Sequence, residues 1–334
     1  MQEWTASAKL VGHKRSVVCL DYAKKSFIAP DLLASGSEDQ TCRIWDIRTC
    51  KAVKAFAKQG SAVNSVKFAT KTGVPNFYMA VGSKVLVFDL RNTDMILSEP
   101  SHTYQESGDE INTIDVNEKN NFLCTADDLG EVKVIDLESH KLYKQFRSKH
   151  KNLCMEARFR PRKPWELWSG GMDTAIMQWD ISRGSVSSVY DTNNTDPNAQ
   201  QMVNPPFVYA LRFHPNGEWV ASGLGDGSVH LLKMSSKSKK VEEKRLSDSH
   251  GTIVNSLAFE DQSKQPLLWS GSANGTLAKW DLNDPVAPLQ QYKIDMAKLN
   301  WIETFVDPGS QSTMLAAAGI TSTNEGAIHL YKPF

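Results

Sequence analysis

The sequence predicts an all-β fold, a single seven-bladed β-propeller that the N-terminal strand closes by completing the last blade. Apolar and β-branched runs that end in aspartate recur at spacings of 43, 47 and 44 residues, at Asp46, Asp89, Asp136 and Asp180. A repeat of about 40 to 50 residues is typical of propellers, in which each repeat forms one four-stranded sheet. The last repeat lacks a fourth strand, and the segment 4–10 is the one β-like run left over to supply it. That closure would remove the open edge of the ring.

The composition excludes several classes of partner. Lysine plus arginine and aspartate plus glutamate number 38 each, so the formal net charge is +0 and no basic surplus points to nucleic acid or an acidic membrane. No apolar run approaches the roughly 18 residues that a membrane helix needs, and residues 1–10 do not have the pattern of a secretory leader.

The cysteines are odd in number and form no C-x-x-C pair, which favours free thiols in a reducing compartment over a zinc site. They are Cys19, Cys42, Cys50, Cys124 and Cys154. We therefore expect a monomeric propeller of the cytoplasm or the nucleus, without a bound metal.

The stretch from Gly12 to Arg48 contains one complete repeat. Sharp turns between strands leave polar groups inside a blade, and these groups need hydrogen-bond partners. The residues that can supply them are a loop histidine, a strand serine, a turn aspartate and a strand tryptophan: His13, Ser35, Asp39 and Trp45. This arrangement resembles a WD40 repeat, and the resemblance implies that the four residues form a structural tetrad. His13 is therefore interpreted as part of this tetrad and not as a catalyst.

The second and third repeats are degenerate versions of this pattern. The second has predicted strands at 63–68, 76–81 and 84–89, but Phe88 replaces the tryptophan, and the histidine and the turn aspartate are missing. The third has predicted strands at 111–116, 122–126 and 131–136, with Ile135 at the tryptophan position.

The fourth repeat is complete again, with the tetrad His150, Ser169, Asp173 and Trp179. The polar stretch from 184 to 206 is rich in residues that break regular structure, and we expect an extended loop there. The fifth repeat resumes at 207–213, followed by strands at 219–223 and 228–234. Its glycine-rich segment 223–227 is predicted to be a hairpin turn, because a phosphate-binding loop would have to be followed by a helix.

The sixth repeat has His250, Ser270 and Trp280, with Asn274 in place of the turn aspartate, a replacement that keeps an acceptor oxygen. The last repeat has strands at 300–305, 314–318 and 327–331. The chain is thus divided into 1–11 (outer strand of the last blade), 12–58 (blade 1), 59–104 (blade 2), 105–147 (blade 3), 148–191 (blade 4), 192–206 (an inserted loop), 207–247 (blade 5), 248–295 (blade 6) and 296–334 (blade 7), all within one domain.

Two neighbouring repeats end in an Asp-x-Arg turn. Residues 45–48 read W-D-I-R, and residues 88–91 read F-D-L-R. Adjacent blades would place both guanidinium groups at the same end of the ring, where they can make bidentate, charge-assisted bonds. In WD40 proteins that act as substrate receptors of cullin-4 ubiquitin ligases, this W-D-x-R box is what the adaptor damaged-DNA-binding protein 1 recognises. The resemblance therefore implies docking of this adaptor through Trp45, Asp46, Arg48, Phe88, Asp89 and Arg91.

Other interpretations stand beside this one. An arginine after a strand more often solvates a turn or pairs with a nearby aspartate, and such pairs contribute about 0–1 kcal/mol. A static scaffold subunit of another assembly is the alternative function. No catalytic residue or cofactor is expected, because no nucleophile elbow, metal-ligand motif or carboxylate pair stands outside the repeats.

Two further clusters have structural interpretations. The basic residues Arg158, Arg160, Arg162 and Lys163 are interpreted as the solvated edge of a strand and turn. Trp168 is interpreted as a packed blade residue, whereas Trp165 fits either a packed residue or an exposed aromatic platform.

Overall fold

A computed structural model describes residues 1–146, 149–193, 204–234, 241–247, 249–260 and 265–332. The prediction of a seven-bladed, all-β propeller is confirmed: the described strands form seven sheets, and the innermost strands pack side by side around the ring, the last against the first. Within the described residues, no helix is long and apolar enough to cross a bilayer.

Each blade is an antiparallel sheet of four strands, numbered along the chain and ordered from the centre of the ring outwards. Blade 1 consists of β3 (Val17–Lys25), β4 (Pro30–Ser37), β5 (Cys42–Asp46) and β6 (Lys51–Phe56). Blade 2 consists of β7 (Val63–Phe68), β8 (Asn76–Val81), β9 (Lys84–Asp89) and β11 (His102–Tyr104). Blade 3 consists of β12 (Ile111–Val116), β13 (Phe122–Asp127), β14 (Val132–Asp136) and β15 (Lys141–Gln145).

The remaining blades repeat this order. Blade 4 consists of β16 (Cys154–Phe159), β17 (Glu166–Gly171), β18 (Ala175–Asp180) and β19 (Ser185–Asp191). Blade 5 consists of β20 (Val208–Phe213), β21 (Trp219–Leu224), β22 (Val229–Met234) and β23 (Val241–Leu246). Blade 6 consists of β24 (Val254–Phe259), β25 (Leu267–Ser272), β26 (Thr276–Asp281) and β27 (Gln290–Ile294). Blade 7 consists of β28 (Lys298–Val306), β29 (Thr313–Ile320), β30 (Gly326–Tyr331) and the N-terminal β2 (Ala8–Val11).

The first and third strands of every blade run in the same direction and end at the same side of the ring, which we call the lower face. The first-to-second and third-to-fourth connections therefore lie on this face. It carries the Asp-x-Arg turns, because these turns directly follow β5 and β9.

The N-terminal strand closes the ring, but it is shorter than predicted. β2 pairs antiparallel with β30, from Ala8 opposite Leu330 to Val11 opposite Ala327. The first part of the predicted strand belongs elsewhere: β1 (Gln2–Trp4) adds to blade 6 as a fifth strand, parallel to β27. The physical reason is the burial of Trp4, which is 4% exposed and packs among aromatic residues of blades 6 and 7.

Blade 1 also has a fifth strand, β10 (Ile96–Leu97), which the sequence did not predict. It lies parallel to β6 of blade 1, just before the chain enters the outer strand of blade 2. The structure thus ties blade 2 to blade 1 and blade 7 to blade 6 by a short segment that crosses the seam between them.

The hydrophobic core lies between neighbouring blades. Between blades 1 and 2, the Phe56 ring is 5.1 Å from Phe77 and 4.8 Å from Phe88 (ring centroids). Phe88 is only 1% exposed, so the residue that replaces tryptophan here fills the same kind of space with apolar contacts alone. Burial of large side chains at such seams is the main favourable contribution to folding.

The prediction of an extended loop from 184 to 206 is wrong for its first part. Residues Ser185–Asp191 form the outer strand of blade 4, paired along its length with β18. Tyr190 anchors this strand, because its ring stacks on Trp168 at a centroid distance of 5.5 Å. Most of the predicted inserted loop, residues 194–203, lies outside the described residues.

Candidate functional site

The tetrad of blade 1 is a connected set of hydrogen bonds. The His13 ring nitrogens lie 3.0 Å from Asp39 Oδ2 and 2.8 Å from Ser35 Oγ, and Trp45 Nε1 donates to the same Ser35 oxygen at 2.9 Å. Burial opposes ionisation of Asp39, but the hydrogen bonds from His13 and Thr41 outweigh it and hold the Asp39 pKa well below its usual value. The set ties the loop before β3 to β4 and β5, and every member has a partner.

Blade 4 has the same geometry. His150 lies 2.8 Å from Asp173 Oδ1 and 2.7 Å from Ser169 Oγ, and Trp179 Nε1 donates to Ser169 Oγ at 2.8 Å. Burial disfavours the charged imidazole, but the neighbours Cys154 and Asp173 outweigh that effect and raise the His150 pKa to about 10.

Blade 6 departs from the expected pattern. His250 Nε2 lies 2.7 Å from Ser270 Oγ, and Trp280 Nε1 donates to the same oxygen at 2.9 Å. Asn274, however, does not replace the aspartate: its Oδ1 accepts from the Thr276 backbone N–H at 3.1 Å, and His250 Nδ1 has no hydrogen-bond partner among the described residues. Burial without that acceptor lowers the His250 pKa to about 4. The expectation that Asn274 completes the tetrad is therefore wrong.

Arg48 forms a two-pronged contact with the aspartate of its own turn. Its Nε donates to Asp46 Oδ1 and its Nη2 to Asp46 Oδ2, both at 3.0 Å, and its backbone N–H also donates to Asp46 Oδ1. The Asp46 pKa is lowered chiefly by this side-chain hydrogen bond. The Arg48 side chain remains 47% exposed.

Arg91 repeats this arrangement on blade 2. Its Nε lies 2.9 Å from Asp89 Oδ2, its Nη2 contacts the same oxygen at 2.5 Å, and its backbone N–H donates to Asp89 Oδ1 at 2.9 Å. The Arg91 side chain is 68% exposed. The contact between each arginine and the aspartate of its own turn agrees with the interpretation that such an arginine pairs with a nearby aspartate. The Nη1 group of each arginine takes no part in this contact.

Both turns lie on the lower face, on adjacent blades. A third guanidinium on this face does not fit the Asp-x-Arg pattern, because it stands three residues after the strand-end aspartate. In blade 4 the position two residues after the aspartate is Ser182, and the next residue, Arg183, pairs with Asp180 at 3.4 Å while its side chain is 81% exposed. The other residues of the boxes have structural roles: Trp45 belongs to the tetrad and Phe88 is buried in the seam.

The interpretation of the basic cluster as a solvated edge is wrong for two of its members. Arg158 is 9% exposed and donates from Nε to Glu156 Oε2 at 2.8 Å, inside the ring. Arg160 donates to Glu166 at 2.9 Å and to the Gly217 carbonyl of blade 5 at 2.8 Å. Arg162 and Lys163 are exposed.

Arg158 belongs to a chain of alternating charges along the innermost strands. Lys67 Nζ lies 2.8 Å from Asp21 and 3.5 Å from Asp115, Arg158 lies 3.7 Å from Asp115, and Arg212 lies 2.9 Å from Glu156. Arg212 also lies over the Trp301 ring at 4.3 Å. Sequence reasoning missed this chain, although four of its members share a signal: Asp21, Lys67, Arg158 and Arg212 each precede the aromatic residue near the end of an inner strand.

The two tryptophans differ as follows. Trp168 is fully buried and donates to Glu166 at 2.7 Å, so the structure places it within the blade. Trp165 is 46% exposed, with one side of its ring against Phe122 and Tyr143 at centroid distances of 5.7 and 6.4 Å.

Neither metal nor disulfide chemistry is evident in the described part of the chain. No group of three or more His, Cys, Asp or Glu side chains there could hold a metal ion. All five cysteines are free thiols, and burial raises the pKa of Cys42 and Cys124 well above the usual value. Such thiols are unreactive at neutral pH.

Comparison with known proteins gives the family. The model of the WD domain, G-beta repeat, matches residues 4–46 and 202–232. The WD repeat-containing protein 53 homolog of Dictyostelium discoideum is 30% identical over 295 residues, which cover 83% of this chain and 78% of that protein. The chain therefore belongs to the WD40-repeat family of β-propellers. Its resemblance to WD repeat-containing protein 53, which the order of complete and degenerate repeats suggests, is confirmed by this similarity over most of both chains.

Two other relatives share shorter or more distant similarity. A kinesin-like protein of Homo sapiens is 23% identical over 316 residues, which cover 87% of this chain and 17% of that protein. Jouberin of Rattus norvegicus is 31% identical over 98 residues, which cover 29% of this chain and 9% of that protein. The WD40 propeller is a scaffold for protein interactions, so its partners are proteins.

Proposed function

We propose that the protein is a non-enzymatic substrate receptor that docks onto the damaged-DNA-binding protein 1 adaptor of a cullin-4 ubiquitin ligase. The observation that carries the proposal is the pair of Asp-x-Arg turns on adjacent blades, with both guanidinium groups exposed at the lower face. The target for ubiquitylation is a protein held by another part of the propeller, and the site of action is the cytoplasm or the nucleus. Nucleic acid, a membrane and a metal have no part in it.

The geometry suits docking because each guanidinium is already oriented. Asp46 and Asp89 occupy Nε and one Nη2 proton of Arg48 and Arg91, and an arginine has five N–H donors in a rigid fork. The donors on Nη1 therefore remain for a partner carboxylate or carbonyl. An oriented fork loses less side-chain entropy on binding than a free one.

Charge reversal tests the proposal. The double variant Arg48→Glu plus Arg91→Glu is expected to lose recovery of the purified adaptor by at least about tenfold, because each arginine becomes a repelling carboxylate. Arg48→Lys plus Arg91→Lys keeps the charge but not the fork, and an intermediate loss is expected.

The matched control is Lys14→Glu plus Lys151→Glu, which changes the net charge equally at exposed positions before β3 and β16, on the face opposite the two turns. Circular dichroism and urea unfolding establish that all variants are folded. If the Arg48 and Arg91 variant and the control recover the adaptor equally, these arginines do not dock it.

The alternative function, a static scaffold subunit, leads to a different result. It predicts co-fractionation with other proteins at fixed stoichiometry without the adaptor, and no change in any partner's turnover when the protein is depleted. Affinity purification from cells, combined with turnover measurements, separates the two functions.

A further inference from the structure

The outer edges of most blades are protected against pairing with other chains. The edge of a sheet offers unpaired backbone groups, and proteins protect such edges by covering them, by keeping the strand short or by placing charges on it. β10 and β1 cover the outer strands of blades 1 and 6. The outer strands of blades 2 and 7 have only three and four residues, and those of blades 3 and 5 contain two and four charged residues.

Blade 4 is the exception. Its outer strand β19 is the longest of the outer strands, with seven residues, and residues 185–190 contain neither a charge nor a proline. One edge of β19 pairs with β18, and no strand of the described residues pairs with the other edge. Val189 on this strand is 56% exposed. Charged residues stand only at its ends, Arg183 two residues before the strand and Asp191 as its last residue. The outer edge of β19 is therefore open to pairing.

The side chain that joins β19 to the next blade is also incompletely covered. In each of the other six blades, one large apolar residue of the outer strand, or directly after it, is buried in the core shared with the following blade. These residues are Phe56, Tyr104, Phe146, Leu246, Tyr292 and Leu10. The equivalent residue of blade 4, Tyr190, stacks on Trp168 but remains half-buried at the margin of the core between blades 4 and 5. The open edge thus lies beside an aromatic ring that is partly exposed.

β1 and β10 show how an edge of this kind is covered. In β10, Leu97 lies opposite Phe56, the counterpart of Tyr190, and is 4% exposed. In β1, Trp4 lies opposite Ile294 in the outer strand of blade 6 and is also buried. Both covering strands run parallel to the strand that they cover. A second copy of β19 related by a twofold axis would run antiparallel, so this geometry favours a segment of a different protein.

We infer that the outer edge of β19 binds an extended segment of a partner protein, which adds to blade 4 as a parallel fifth strand and packs a large apolar residue against Tyr190. In strand addition, backbone hydrogen bonds supply the affinity and side-chain contacts supply the specificity. The segment has no proline where it pairs, because proline lacks the N–H donor.

The position of this edge is compatible with the proposed function. Blade 4 adjoins neither blade 1 nor blade 2, so its outer edge and the two Asp-x-Arg turns can be occupied together. That the partner is the target for ubiquitylation rests on the proposed function, whereas the binding of an extended segment does not.

Hydrogen exchange of the free full-length chain tests whether the edge is open. The amides of 185–190 that do not bond to β18 are expected to exchange faster than those of Ala55 and Ala57, which bond to the segment that covers blade 1. Equal protection would show that the edge is already covered and would overturn the inference. Sedimentation is expected to show a monomer. A dimer that Val189→Lys dissociates would assign the edge to a second copy and would also contradict the inference.

The binding experiment selects random short peptides displayed on phage against the full-length chain and measures the affinity of the enriched peptides by fluorescence polarisation. Val189→Lys is expected to weaken their binding by at least about tenfold, because a lysine on an edge strand opposes strand addition. The matched control is Val53→Lys, the same change at an exposed position of an outer strand whose edge is covered, and it is expected to bind like the wild type. Bound peptide is expected to protect the amides of 185–190 from exchange.

The outcomes separate this inference from adaptor docking. If no peptide is enriched, or if the enriched peptides bind Val189→Lys as tightly as Val53→Lys, the edge of β19 is not a peptide site. Equal unfolding midpoints establish that the variants are folded, and Ser187→Lys, at another exposed position of β19, replaces Val189→Lys if that variant is unstable. The adaptor is absent from these measurements, so their failure leaves adaptor docking standing, and failure of adaptor docking leaves peptide binding unchanged.

Discussion

Trp4 lies against Trp269, with their ring centroids 5.6 Å apart, and joins the N-terminus to blade 6. The same ring lies 5.0 Å from Tyr331 at the end of blade 7. One side chain therefore bridges the two blades at which the chain ends meet. Closure of the ring depends on this contact as well as on the hydrogen bonds of β2.

We predict that Trp4→Ala lowers the free energy of unfolding by about 3–5 kcal/mol, as expected for loss of a large buried aromatic side chain. Urea unfolding followed by fluorescence and circular dichroism measures the change. Gln2→Ala, at an exposed position of the same short strand, is the control and is expected to change it by less than about 0.5 kcal/mol. Equal stability of the two variants would show that Trp4 does not latch the ring.

We predict that Gly223→Ala destabilises the seam between blades 5 and 6 by about 1–3 kcal/mol. A Cβ atom at Gly223 would lie 2.4 Å from the Val254 carbonyl oxygen, and the same crowding exists at Gly36 against Val63. Blades can therefore approach closely only if this position is small. The control is Gly251→Ala, where the added methyl group meets nothing within 4 Å. A thermal unfolding midpoint for Gly223→Ala as high as that of the control would contradict this explanation.

We predict that Arg158→Met costs about 1–3 kcal/mol, because it removes one of the two cationic side chains that pair with each of the buried carboxylates Glu156 and Asp115. Arg158 contacts Glu156 of its own strand at 2.8 Å, and it contacts Asp115 across the seam between blades 3 and 4 at 3.7 Å. Arg162→Met, at an exposed position of the following turn, serves as the control. Should both variants unfold at the same urea concentration, the chain of charges would have no measurable role in stability.

We predict that Asn274→Asp stabilises the protein and reduces its loss of stability in acid. The folded-state pKa of His250 is about 4 and lies below the unfolded value of about 6.5. The unfolded chain therefore binds more protons between these pH values, and stability falls as pH decreases from about 6.5 to about 4, by about 3 kcal/mol in total from this group. An aspartate that accepts from His250 Nδ1, as Asp173 does for His150, raises the pKa and removes this loss.

The measurement is the free energy of unfolding at pH 7 and pH 5, compared between the wild type and the variant. Other histidines with lowered pKa values, such as His230 and His329, contribute equally to both proteins and cancel in the difference. Asn283→Asp adds the same charge at an exposed site of blade 6 and controls for net charge. The same pH dependence in all three proteins would contradict the predicted role of Asn274.

Much of the fold could be predicted from the sequence, because its signals are local. Apolar alternation, turn residues and the spacing of His13, Ser35, Asp39 and Trp45 all lie within one repeat, where neighbours in sequence are neighbours in the blade. The two Asp-x-Arg turns are visible for the same reason, since the aspartate and the arginine stand two residues apart.

Only the tertiary structure decided the features that join one repeat to another. It split the N-terminal segment between blades 6 and 7, laid residues 96–97 on blade 1, directed Arg158 into the ring and left His250 without the acceptor that Asn274 was expected to supply. The physical reason is that burial and pairing at a seam depend on which residues of distant repeats meet there, and no pattern within a single repeat records that meeting.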